Sequence, residues 1–135
     1  MEILYLLDTN TASYYISGNP PAVRERLHHV GLKSTAVSTI TEAEMRYGVA
    51  RNPNAARRRA SVESFLRNAS IQPWNSAAAR AYGLLRAEQE RKGRPLSTED
   101  LMIAAHALSL GLTLVTNDSA FSFVDGLKIE DWTVA

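Results

Sequence analysis

Two kinds of segment follow one another along this chain. Short runs at residues 2–7 (EILYLL), 34–38 (STAVS) and 112–116 (LTLVT) are bounded by polar or turn-forming residues. They are too short for helices and predict buried strands. Residues 127–130 predict an edge strand. Helices are predicted over 22–30, 39–51, 55–68, 76–92 and 98–110, where apolar positions such as Val62, Phe65, Leu66 and Ala81, Leu84, Leu85 recur at helical spacing. Pro20-Pro21 open the first of these, and Gly93 and Gly111 close the last two. Thr39-x-x-Glu42 and Ser97-x-x-Asp100 have the spacing of capping boxes. Strands alternating with helices imply an α/β sandwich with a mainly parallel sheet, in one domain over residues 1–135. In such open sheets ligands sit outside the carboxyl ends of the strands. Asp8 stands at the end of the first strand, and Asn117-Asp118 follow the third.

Composition narrows the chemistry. The 135 residues include no cysteine. That excludes a disulfide scaffold, a thiolate nucleophile and any Cys-bound metal. The apolar run at 2–7 is too short to span a bilayer and has no basic lead, so a cytoplasmic protein is expected. The net charge of +1 conceals a division. Residues 46–94 carry eleven Lys/Arg and three Asp/Glu, while the remainder carries four and eleven. Twelve of the fifteen basic residues are arginine, the better bidentate phosphate ligand. Such asymmetry suits an anionic partner, although helical surfaces are commonly charged as well.

Four acids draw attention. Asp8 closes an apolar strand, where a charge is costly unless paired, protonated or metal-bound. It could instead cap a helix beginning near Thr11, but Asn10 is better placed for that task. Glu44 alone reads as an exposed helix acid favoured by the macrodipole. Asp100 belongs to a capping box, yet heads a face with small Ala104 and Ala107. Asp118 alone reads as a turn residue. As a set they can converge on one sheet edge. Two carboxylates ~4 Å apart repel by on the order of 4 kcal/mol at an effective dielectric of about 20. Such a cluster protonates or binds a hard cation, Mg²⁺ or Mn²⁺. Carboxylate-held Mg²⁺ is suited to phosphodiester hydrolysis.

The succession LLDTN, TEAEMRYG, DLMIAAHAL, LVTNDSAF and GLKIEDW resembles PIN-domain proteins, and among them the VapC-type toxin ribonucleases of toxin–antitoxin modules. The similarity runs nearly end to end. It implies a three-layer α/β/α fold around a parallel sheet of four or five strands, and Mg²⁺- or Mn²⁺-dependent cleavage of single-stranded or loop RNA to 5′-phosphate and 3′-hydroxyl ends. Asp8, Glu44 and Asp100 match the family's core acids and Asp118 a more variable fourth. Asp8 and Asp100 would be the direct metal ligands, with Glu44 and Asp118 completing the site. Thr9, Asn10 and Thr116 match supporting polar positions. The resemblance also implies a homodimer and a small VapB-like antitoxin whose tail fills the acidic pocket. One departure is Phe123, where many relatives carry an arginine.

Arg46 and Arg94 are candidates for the substrate phosphate. Arg57, Arg58 and Arg59, with Arg51 and Arg67, form an RNA track, a solvated face or a contact with an acidic partner. His106, Trp74 and Trp132 are expected to pack, and His28 and His29 to lie on the surface. Stacking on RNA bases is open to Tyr47 or Trp74. Tyr5, Tyr14, Tyr15 and Ile16 are candidates for a dimer or partner face. The alternatives are an RNA-processing nuclease that is not a toxin, and a non-catalytic RNA- or protein-binding module. A phosphatase with Asp8 as nucleophile would need a second acid where this chain has Asn10.

Overall fold

A computed structural model describes residues 2–94 and 96–134. The elements, in chain order, are β1 (Tyr5–Leu7), α1 (Thr9–Ser17), α2 (Pro21–Val30), β2 (Thr35–Ser38), α3 (Thr39–Arg51), α4 (Ala56–Asn68), β3 (Ile71–Gln72), α5 (Ser76–Arg91), α6 (Thr98–Leu110), β4 (Thr113–Val115) and β5 (Ile129–Glu130). Short 3₁₀ turns cover Leu32–Ser34 and Ser119–Phe123. The five strands form one sheet in the order β3-β2-β1-β4-β5, and every pairing is parallel.

The register explains the two cores. Tyr5 pairs with Thr35 and Thr113, and Leu7 with Val37 and Val115. Successive strand residues face opposite sides. Leu6, Ala36 and Leu114 therefore point one way, into a core completed by Leu85 of α5, Leu101, Ile103 and Ala104 of α6, and Phe121. Leu7, Val37 and Val115 point the other way, onto Ala12, Val23, Leu27, Met45, Val62 and Phe65 of α1 to α4. Burial on both faces is why the strand sequences are continuously apolar rather than alternating.

The helices at 39–51 and 98–110 have the expected bounds. α6 stops at Gly111, whose φ of +69° provides the left-handed turn that other residues resist. Two local expectations are corrected. Ser38, not Thr39, caps α3, accepting from the Ile40 amide at 3.0 Å. The Thr39 hydroxyl instead accepts from the Trp74 amide, and Glu42 pairs with Arg46, so no capping box forms there. Leu84 is not a core residue: it is 78% exposed, while Leu85 beside it is buried. Tyr5, Tyr14, Tyr15 and Ile16 each keep a partly exposed face. They pack against the α1–α4 core, with Tyr5 edge-on to Trp132 and Tyr15 against Phe65.

The contrast between the two leucines is measurable. Leu85→Ala removes a buried side chain and is expected to cost about 2–4 kcal/mol in urea unfolding. Leu84→Ala is expected to change stability by less than about 0.5 kcal/mol. Equal losses would contradict the orientation of α5.

Candidate active site

The chain runs β1 to β2 to β3 toward one edge of the sheet, then returns with β4 and β5 on the other side of β1. The switch point lies between β1 and β4, where crevices open in sheets of this kind. Leu7 and Val115 are partners there, so the residues that follow them, Asp8 and Thr116, leave the sheet side by side.

Asp8 has two roles. Its Oδ1 accepts from the Thr11 amide at 2.8 Å and caps α1, so Asn10 is not the cap. Asp8 is also only 6% exposed. Its own amide donates to the Val115 carbonyl at 3.0 Å, and the Thr11 hydroxyl donates to the same carbonyl at 3.1 Å. Burial raises the Asp8 pKa. The neighbouring Thr116 hydroxyl and the Thr11 amide oppose the rise, and the nearby Asp118 charge adds to it.

Asp100 lies in the first turn of α6, where Ser97 Oγ accepts from its amide at 3.1 Å. Its pKa is also raised, first by burial and then by the charges of Asp118, Asp8 and Glu44, against a lowering by Ser97. The four acids found in sequence are thus one electrostatic group. Glu44 is held from below: the Thr9 hydroxyl donates to its Oε1 at 2.8 Å and sits 3.0 Å from the Thr41 hydroxyl. Asp118 is exposed and also serves as a cap, its Oδ1 accepting from the Ala120 amide at 2.9 Å. Its own amide donates to the Thr116 hydroxyl at 3.0 Å.

Thr9 and Thr116 therefore support the acids as expected. Asn10 is exposed and bonds no other described side chain. Thr11 and Thr41, both buried, are supports that the sequence did not reveal. His106 is a brace: buried, with Nδ1 2.8 Å from the Ser38 hydroxyl, it ties α6 to the cap of α3. Burial lowers its pKa, so it is neutral near pH 7. Arg46 directs its guanidinium to Glu42 at 2.9 Å and Glu63 at 3.0 Å. Arg94 lies over the Phe123 ring, 4.1 Å from its centroid. A guanidinium thus rests on Phe123.

Among the described residues no three acids or histidines are gathered so that they alone could hold a metal ion. The donors are nevertheless all oxygens, and neighbouring negative charge adds to the burial that raises the Asp8 and Asp100 pKa values. That combination fits a hard divalent ion that keeps several waters and takes one or two carboxylates directly. Among the described residues no helix is long and apolar enough to cross a membrane.

The model of the PIN domain matches residues 5–127. The chain belongs to the PIN-domain family. It is 38% identical to a tRNA(fMet)-specific endonuclease VapC of Shigella flexneri, over 96% of this chain and 98% of that protein. The toxin chain fold is shared as well. A DNA-bound VapBC structure from Salmonella typhimurium superposes with a TM-score of 0.89 at 37% identity, covering 96% of this chain and 98% of the other. A VapBC2 structure from Rickettsia felis, bound to a promoter DNA fragment, gives 0.86 at 32% identity, covering 98% and 99%. This PIN domain is thus of the VapC type.

The buried carboxylate of this PIN domain carries a stability cost. The folded pKa of Asp8 lies above its unfolded value, so stability falls as pH rises from about 4 through the folded pKa. Asp8→Asn keeps an oxygen for the Thr11 amide and removes the charge. In the presence of EDTA it is expected to raise Tm at pH 7, with the gain vanishing below about pH 4. A lower Tm for the variant at pH 7 would contradict the assignment.

Proposed function

We propose that this PIN domain is the endoribonuclease toxin of a toxin–antitoxin pair, dependent on Mg²⁺ or Mn²⁺. The observation that carries the reading is that the charges of Asp118, Asp8 and Glu44 all reach Asp100 at the switch point of a sheet whose relatives are named as ribonucleases. Asp8 and Asp100 would hold the ion directly, with Glu44 and Asp118 completing its shell. When bound, such an ion supplies Lewis acidity, acidifying the attacking water and offsetting charge that develops on the phosphate.

The chain's own residues do the rest. Thr9 and Thr41 fix the Glu44 carboxylate. Thr11 and Thr116 fix Asp8. Ser97 fixes the start of α6 and hence Asp100. One of the carboxylates beside the ion would take the proton of the attacking water. The expected products carry 5′-phosphate and 3′-hydroxyl ends. The VapBC assemblies of the relatives support a small VapB-like antitoxin as the partner, and a homodimer is the state proposed for the toxin.

Cleavage of a single-stranded RNA tests the reading. Activity is expected to need Mg²⁺ or Mn²⁺ and to be abolished by EDTA. Asp8→Ala and Asp100→Ala are expected to cut on the order of 100-fold more slowly or worse, and Thr9→Val about 10- to 100-fold more slowly because Glu44 loses its anchor. Undiminished cutting by both aspartate variants would overturn the acidic-site mechanism.

A further inference from the structure

A groove of about 270 Å³ opens beside the acids. Thr9 and Glu44 line it together with Gly48, Arg51, Arg58 and Arg59. Glu44, Gly48 and Arg51 follow one face of α3 at intervals of four and three residues. Seven residues of helix span about 10 Å, so the arginines stand a short step from the catalytic acids within one continuous depression.

Part of the basic surface is already neutralised. Arg26, Arg46, Arg86, Arg91 and Lys92 each pair with a carboxylate. Among the described residues, Arg51, Arg58 and Arg59 have no acidic partner. Arg59 donates to the Pro53 carbonyl at 2.9 Å, and Arg51 lies 5.4 Å from the centroid of Tyr47, a ring that is 65% exposed. Arg57, Arg58 and Arg59 also crowd the first turn of α4, which holds no acid and no side-chain cap. Positive charge there is opposed by the helix dipole, so the placement weakens the fold and suits an anion. Gly48 agrees with this. It sits inside a helix, where glycine is the poorest ordinary residue, and a Cβ added to it would meet no heavy atom within 4 Å. Its missing side chain keeps the groove open.

We infer that this groove seats a backbone phosphate of the RNA strand beside the scissile one, held by Arg51, Arg58 and Arg59, with Tyr47 available for base stacking. The inference rests on the nuclease reading above, and it names the path of the substrate away from the acids. Unpaired guanidinium groups with an adjoining exposed aromatic ring are the combination that tracks single-stranded nucleic acid.

The test uses a fluorescein-labelled single-stranded RNA of mixed sequence, bound to the Asp8→Asn chain so that nothing is cut. Fluorescence anisotropy across a salt series gives the affinity and its salt slope. Arg51→Gln/Arg58→Gln/Arg59→Gln is expected to lower the slope by about 0.7, the contribution of one phosphate contact on a single strand. Arg80→Gln, a single charge change on α5 outside the groove lining, is expected to leave the slope unchanged. Gly48→Leu is expected to raise Tm, by helix propensity, and yet to weaken RNA binding. In the chain with Asp8 intact, the triple variant is expected to raise KM for cleavage while kcat holds.

An unchanged slope in the triple variant overturns the groove assignment, as does tight RNA binding by Gly48→Leu. Retained RNA affinity with loss of a co-expressed VapB-like partner overturns it too, and gives the arginines to a protein contact. A lowered slope in a chain that cuts no RNA with Mg²⁺ or Mn²⁺ sustains the groove and sinks the nuclease reading instead.

Discussion

The carboxylate of Asp8 is the constraint around which this molecule is arranged. It sits at the end of the central strand, buried, and its first hydrogen bond starts the next helix. That bond fixes the direction of α1 as it leaves the sheet. Thr9, one residue later, then reaches Glu44 on α3, and Thr11 reaches back to the Val115 carbonyl of β4. One acid thus links the central strand, the first helix and the neighbouring strand, and its position dictates where the other acids can meet it. The fold tolerates the buried charge because the Thr116 hydroxyl and the Thr11 amide are turned toward it.

Two kinds of support surround the crevice, and they differ in chemistry. Threonine and serine hydroxyls hold the acids without neutralising them. Arginines that could neutralise them are kept elsewhere: Arg46 is engaged by Glu42 and Glu63, and Arg94 lies on an aromatic ring. A structural ion-pair cluster would interleave the two signs. Here like charges are left together, and those of Asp118, Asp8 and Glu44 are all felt at Asp100. That arrangement is stabilised from outside the chain, by a proton or by a cation, and a hard cation is what phosphate chemistry uses.

What was legible in the sequence depended on whether the signal was local. α6 begins at Ser97 and ends at Gly111, and both signals act within one turn, so its bounds could be read directly. β3 has two residues and exists as a strand only because β2 lies beside it; no pattern of two residues announces that. Asp8 was legible as a functional acid from the cost of a charge ending an apolar strand. Its capping role was hidden because α1 begins immediately after β1, with no loop between them. Arg46 shows the opposite error. Two residues from Glu44 in sequence, it lies some 200° around the helix from it, and so it turns to Glu42 and Glu63. Thr41, three residues before Glu44, was the neighbour that helical geometry would have selected.

The same geometry accounts for the divided charge of the chain. The acids are delivered by strand ends and first helical turns from distant parts of the sequence, residues 8, 44, 100 and 118. The basic segment lies between the second and third of them, and its first helix, α4, returns against α3. The chain therefore folds its arginines next to the carboxylates that they do not neutralise. Two adjoining regions of opposite charge are unfavourable to keep unpaired in an isolated globule, where closing them into salt bridges would be simpler. They become useful together when a third body carries both needs: under the proposed function, a polyanion whose phosphates would meet guanidinium groups along α3 and α4 while one of them would approach a cation held by the acids.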